Sequence, residues 1–247
     1  YINVGEKITI RDLLYGLIMR SGNDAAVVLA KNVAGSMEGF AHLMNELASN
    51  IGMKNSNFVN AHGLEENDGS ANYSTAYDMA LITKYAMNNK TFREIFGTKK
   101  YTVKTNYKTY SWTNKNKLLH SEDYITGGKT GFTEKARRTL VTTASRNNIN
   151  VVVVTLNDGN DFLDHKNMYE EIFRKNKEIW EEFKSYNIKE EDLVYFTLSG
   201  NTINIIINFD GEAFRWICRL RECTKAQWCI RNIVTKMHEL IDEVSTY

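Results

Sequence analysis

Proline is absent from all 247 residues, where ordinary usage of about 5% would give roughly a dozen. Without that punctuation, element boundaries rest on Gly, Asn and capping residues. Cysteine is scarce: Cys218, Cys223 and Cys229 are the only three, and none precedes them. They lack the paired C-x-x-C spacing of a zinc site, and an odd count cannot close fully into intrachain disulfides. No metal or cofactor is expected, and the thiol-free front of the chain fits an exported protein that needs no disulfide. An excess of one charge is missing too. With 31 Lys and Arg against 30 Asp and Glu the formal net charge is +1, which favours neither nucleic acid nor an anionic membrane as a partner. No run is apolar and long enough to cross a bilayer. The chain opens with YINVGEKITI, neither an initiator Met nor a charged-then-apolar leader, and reads as a piece cut from something longer.

What is present is an ordinary globular composition. A hydrophobic fraction of 43% with 25% charged residues supports one large domain, or one domain with a small appendage. Thr9 and Asp12 form a capping box ahead of Ile10, Leu13, Leu14, Leu17 and Ile18, an apolar stripe at helical spacing. A second helix is expected from Asn23 or Asp24, either of which can cap it, to a stop at Gly35. Ser36 opens a third, with Phe40, Leu43, Met44, Leu47 and Ile51 on one face and Gly52 at its end. An Asn- and Gly-rich loop, NSNFVNAHGLEENDGSANY, follows, and Thr75 with Asp78 caps another helix.

Strand signals then take over. KKYTVKT and KTYSWTN flank an Asn-Tyr turn, while TLVTTASR and INVVVVTLND flank Asn147-Asn148, a pair able to adopt the positive φ of a tight hairpin. VVVVTL is apolar on both faces and is expected to be a central strand. After Asp158 comes a long amphipathic helix, and then DLVYFTLSGNTINIIINF, read as a hairpin turning at Ser199-Gly200-Asn201. The last apolar stripe, Ile230, Ile233, Val234, Met237 and Ile241, is expected to pack on the domain, since Glu239, Asp242 and Glu243 disfavour an anionic surface.

Ser-Gly-Asn occurs twice, and the two copies differ in setting. Ser21-Gly22-Asn23 lies at a joint between helices, where a hydroxyl and an amide can project into one cleft. Helix caps use the same residues for local hydrogen bonds, so this copy alone decides nothing. The second element is ITGGKTGFTEKARRTLV, in which Lys129 supplies a cation, Thr130 a hydroxyl, and three glycines allow close backbone approach. Such a lysine can pair with a substrate carboxylate, and an N–H beyond Gly131 can face an oxyanion. S-x-N followed by K-T-G is two thirds of the motif set S-x-x-K, S-D-N and K-T-G of serine acyl-transfer enzymes that react with β-lactams.

TIRDLLYGLIMRSGNDAAVVLA, FAHLMNELASNIGMKNSNF, NAHGL, YSTAYDMA and GGKTGFTEKARRTLVTTASR together resemble the D-alanyl-D-alanine carboxypeptidases, the low-molecular-mass penicillin-binding proteins, from about Ile8 to His165. The resemblance implies an α/β (α+β) fold of the β-lactamase and penicillin-binding transpeptidase type, in which an antiparallel sheet packs against a helical cluster with the site between them. It implies a catalytic domain over residues 1–165 without its nucleophile segment. Residues 166–247 would then hold the end of that domain, a long helix, and a C-terminal region compatible with a small β-rich appendage. By the same resemblance Ser21 relays a proton toward the leaving D-alanine and Asn23 orients the site and the substrate amide. Lys129 supports the relay and attracts the terminal carboxylate, Thr130 offers a hydroxyl contact, Gly131 keeps the strand open, and Phe132 donates its backbone N–H to an oxyanion hole. The implied reaction removes the terminal D-alanine from peptidoglycan stem peptides through an acyl-enzyme, outside the cytoplasm, with β-lactams as inhibitors and without nucleic acid or cofactor.

Three features depart from that pattern. Every serine fails the fourth-position test of S-x-x-K, so the nucleophile is expected upstream of Tyr1 and the chain as it stands is expected to form no acyl-enzyme. Ala61 stands where the family usually has proline, and His62 beside it is read as a hydrogen-bonding residue of its loop. Beyond Asp164 the resemblance fades. A catalytically inactive peptidoglycan-binding relative stays open as the alternative. A class A β-lactamase is a weaker one, because it needs a deacylating Glu in a dedicated loop and the NAHGL and STAYDMA contexts speak against it.

Overall fold

The computed structural model describes residues 2–184. Two units divide between Arg174 and Lys175, and the architecture below is that of the first. The hairpin at Ser199-Gly200-Asn201, the C-terminal apolar stripe and the three cysteines lie outside the described residues.

Helix α1, Ile10–Arg20, begins as the capping box requires: Thr9 Oγ1 accepts from Asp12 N at 3.1 Å and donates to Asp12 Oδ2 at 2.5 Å. Its predicted stripe is too narrow. Ile10 is 55% exposed, whereas Leu13, Tyr15 and Met19 are buried. The reason is that α1 packs on two sides. Leu13 joins Ala25 and Leu29 of α2, Asn23–Ala34, while Tyr15 and Met19 join Ile95 of α5, Lys90–Phe96, so the buried arc is wide. Helix α2 starts differently from expectation: the cap residue is Gly22, and it makes no side-chain capping bond. Asp24 instead accepts from Ile2 N at 2.7 Å and Ala25 N at 2.9 Å. Gly35 ends α2 in the left-handed conformation, as expected. Helix α3, Met37–Asn50, is capped by Ser36 and buries Ala41 and Ala48, and α4, Ala76–Ala86, is capped by Thr75.

Strands β1, Lys100–Lys104, and β2, Thr109–Thr113, form a two-stranded hairpin. A short helix, α6, Leu118–Ser121, leads into a three-stranded antiparallel sheet of β3, Ile125–Thr133, β4, Arg137–Arg146, and β5, Ile149–Leu156, in that spatial order. Asn147 and Asn148 turn β4 into β5 with φ of 53° and 62°, the conformation a tight hairpin demands. VVVVTL is therefore not central: among the described residues β5 pairs with β4 alone. Its apolar character has another cause. Ile149 and Val153 are buried, Val153 in a cluster with Ala144 and with Tyr169 and Phe173 of α7, and α4 lies along β5. Helix α7 spans Asp161–Lys184.

The central strand, β4, buries two hydroxyls, and both are satisfied. Thr142 Oγ1 hydrogen-bonds His165 Nδ1 at 2.7 Å and Tyr169 Oη at 2.8 Å, and Thr143 Oγ1 accepts from Thr126 at 2.8 Å. His165 is fully buried, and burial pushes its imidazole pKa down to about 4.

Candidate active site

Ser21 stands at the end of α1 in the left-handed conformation, φ 58° and ψ 47°. For an L-residue with a side chain this costs on the order of 1 kcal/mol. Its N–H bonds to Leu17 O at 3.0 Å and that of Gly22 to Gly16 O at 3.3 Å, so the helix terminates on its own carbonyls. The chain then reverses into α2 within two residues.

Lys129 comes from β3. Its Nζ donates to Ser21 Oγ at 2.5 Å and to the Thr130 carbonyl at 2.5 Å. Two motifs 108 residues apart thus meet in one hydrogen-bonded group. Helix α5 sets the spacing between their elements. On one side Tyr15 donates to Glu94 at 3.0 Å and Arg11 to Glu94 at 2.5 Å. On the other, Phe96 packs so tightly on β3 that a Cβ at Gly127 would stand 2.3 Å from its ring, and one at Gly97 would stand 2.5 Å from Thr126 O. Gly128 is matched in the same way to Asn116, whose Nδ2 would be 2.3 Å from an added Cβ. The two adjacent glycines therefore serve internal packing. At Gly131 a Cβ would meet the side chain of Thr139, its cross-strand partner, at 2.5 Å.

The Lys129 ammonium is half-buried, and its pKa is lowered to about 8, first by burial and then by the positive charge of Lys115. The group is a cation at neutral pH that gives up its proton within reach of physiological conditions. Lys115 was not among the expected site residues. It lies in the Asn-Lys-Asn segment after β2, and nothing in its spacing from Lys129 marks it in sequence.

The remaining expected residues are open to solvent. Asn23 is exposed on the first turn of α2 and hydrogen-bonds no described side chain, Thr130 is half-buried, Gly131 is exposed, and Phe132 is 61% exposed. Strand β3 pairs only with β4 among the described residues, leaving its other edge free. In an antiparallel ladder the N–H and C=O of a residue point to one side and alternate along the strand. With the Thr130 carbonyl turned to Lys129, the Phe132 N–H falls on the same side. His62, by contrast, accepts from Leu64 N at 3.2 Å within its own loop. No cluster of three metal-ligating side chains occurs among the described residues, and no described helix is long and apolar enough to cross a membrane.

These features carry over to comparison with known proteins. The D-alanyl-D-alanine carboxypeptidase family profile matches residues 1–160. Over 155 residues the chain is 34% identical to D-alanyl-D-alanine carboxypeptidase DacF of Bacillus subtilis, covering 62% of this chain and 39% of that protein. Over 168 residues it is 39% identical to the D-alanyl-D-alanine carboxypeptidase of Streptomyces sp. strain K15, covering 63% and 57%. Among solved structures, a D-alanyl-D-alanine carboxypeptidase of Mycobacterium tuberculosis superposes with a TM-score of 0.57 at 32% identity, covering 60% of this chain and 56% of the other. A mutant of the Streptomyces K15 DD-transpeptidase superposes with a TM-score of 0.58 at 39% identity, covering 63% of each. The chain thus spans less than two thirds of the length of these relatives. With the helical cluster, the antiparallel sheet and the Ser21–Lys129 junction between them in place, the chain belongs to the D-alanyl-D-alanine carboxypeptidase family.

Proposed function

We propose that this chain carries the substrate-binding and proton-relay part of a serine D-alanyl-D-alanine carboxypeptidase, acting on peptidoglycan stem peptides outside the cytoplasm. The observation that carries the reading is the hydrogen bond from Lys129 to Ser21, which joins the K-T-G strand to the S-x-N joint. A terminal carboxylate pairs with the Lys129 cation and the Thr130 hydroxyl. The scissile carbonyl oxygen then lies along β3 at the Phe132 N–H, which stabilises negative charge developing there. Ser21, bonded to the lysine, passes a proton to the departing D-alanine nitrogen, and Asn23, exposed at the rim, is free to hold the substrate amide.

The attacking serine and its lysine are an S-x-x-K pair, which is not in these 247 residues. In this reading the chain recognises D-Ala-D-Ala termini and β-lactams without forming an acyl-enzyme by itself. The reading is tested by calorimetry of residues 1–247 with an acetylated peptide ending in D-Ala-D-Ala and with its C-terminal amide. The acid should bind at least about tenfold more tightly, and Lys129→Met should erase the difference. Equal affinity for acid and amide would refute the assignment, and a stable covalent adduct with labelled penicillin would refute the absence of a nucleophile.

A further inference from the structure

Between Ile95 and Ser121 the chain carries six lysines and no Asp or Glu, although positive and negative charges nearly balance over its whole length. Most of this segment is the hairpin of β1 and β2, whose two faces differ in chemistry. The aromatic face is fixed to α1. Tyr101 stacks on Tyr15 with ring centroids 3.6 Å apart and donates to Asp12 at 2.6 Å. Trp112 lies so close to Gly16 that a Cβ there would stand 3.2 Å from its ring. Alternation along each strand therefore sends Lys100, Thr102 and Lys104 of β1 and Thr109, Ser111 and Thr113 of β2 outward, and all six are exposed. They pair across the hairpin as Lys100 with Thr113, Thr102 with Ser111 and Lys104 with Thr109, so every position of this face is a cation or a hydroxyl. Thr102 donates to Ser111 at 3.3 Å, which leaves the Ser111 proton for another acceptor. Arg20 extends the row at the Thr113 end, where it donates to the Thr113 carbonyl at 3.4 Å. Among the described residues no carboxylate pairs with Lys100, Lys104 or Arg20.

We infer that this face docks a linear polyanion in which phosphodiesters alternate with a short polyol, a poly(glycerol phosphate) chain lying along the hairpin. The inference goes beyond the substrate reading and does not depend on it. Charge and donor capacity select the anion: phosphodiester oxygens only accept hydrogen bonds, and the face offers ammonium groups and hydroxyls with no carboxylate among them. Spacing selects the polymer. Side chains on one face of a strand recur every two residues, six backbone atoms or about 6.8 Å, and a glycerol phosphate repeat also spans six backbone atoms. Successive phosphates then fall level with Lys100, Thr102 and Lys104. The composition of the face sets the other polyanions aside. It has no aromatic side chain on which a base could stack and no aliphatic one that could enter a bilayer. Because the row ends at Arg20, a bound polymer lies beside the joint that carries Ser21.

Fluorescence anisotropy of residues 1–247 with end-labelled, deacylated poly(glycerol phosphate) at low ionic strength tests the assignment. Binding should saturate, and the double variant Lys100→Gln, Lys104→Gln should weaken it by at least about tenfold. Removing the same charge elsewhere, at the exposed Lys31 and Lys54 by Lys31→Gln, Lys54→Gln, should leave affinity within about twofold. Thr102→Val with Ser111→Val keeps the charge and suits a strand, and should weaken binding by about threefold. Absence of saturable binding, equal losses in the two lysine pairs, or no effect of the hydroxyl pair would overturn the inference. Tighter binding of phosphatidylglycerol vesicles or of labelled oligothymidylate than of the polymer would overturn it as well, in favour of a membrane or a nucleic acid.

Discussion

Lys129 Nζ donates to Ser21 Oγ from a strand while Ser21 is held in the left-handed conformation that ends a helix. The same left-handed turn ends the helix on its own carbonyls and carries the Ser21 hydroxyl to Lys129.

Ser21→Gly separates the two. Glycine adopts the left-handed region without the steric cost, so urea unfolding should show stability unchanged or raised by up to about 1 kcal/mol. Affinity for a D-Ala-D-Ala peptide should fall, because Lys129 loses its hydroxyl partner. Loss of more than about 1 kcal/mol of stability would mean that the hydroxyl is there for the fold.

On the proposed function, the Lys129 pKa near 8 should make carboxylate binding pH-dependent. The ammonium is present below that value and lost above it, so peptide affinity should hold from pH 6 to 7.5 and decline as the pH rises through 8. Lys115 lowers this pKa through its charge. Lys115→Met should therefore move the decline to higher pH, and calorimetric titrations between pH 6 and 10 report the midpoint. A midpoint that does not move would remove Lys115 from the site.

His165 makes the opposite kind of pH statement, about the fold. Its folded pKa of about 4 lies below the ordinary value of 6.5. The unfolded chain therefore binds the proton first, and stability is full above about 6.5 and falls as the pH drops toward 4. For this fully buried group the loss should approach roughly 3 kcal/mol. The difference in unfolding free energy between wild type and His165→Gln, followed from pH 7.5 to 4, isolates it. Parallel curves for the two proteins would show that another group governs acid sensitivity.

Local signals were the most legible part of the chain. The capping pairs Thr9–Asp12 and Thr75–Asp78 and the turn at Asn147-Asn148 are decided by hydrogen bonds and φ values within a few residues, and all stand as read. The order of the strands was not legible. The central strand β4 carries Thr139, Thr142 and Thr143, hydroxyl residues that apolar patterning does not mark as buried. Thr142 is buried because His165 and Tyr169, more than twenty residues away, satisfy its hydroxyl. Apolar VVVVTL looked more central because no such partner has to be guessed. The site was legible as two motifs but not as a distance. That Ser21 and Lys129 touch depends on α5 between them, whose fit to β3 through Phe96 and Gly127 leaves no periodic trace. Lys115 was missed for the same reason, since its charge acts through space on Lys129.

The unpaired edge of β3 has a consequence for the solution behaviour of the molecule. A strand edge with no partner strand among the described residues can pair with an extended chain, including another copy of itself. Residues 127–133 are poorly suited to such pairing: three of the seven are glycine, which weakens a strand, and a partly buried lysine stands among them. The glycines that fit this strand to Phe96 and Asn116 are thereby also the residues that discourage a sheet from growing there.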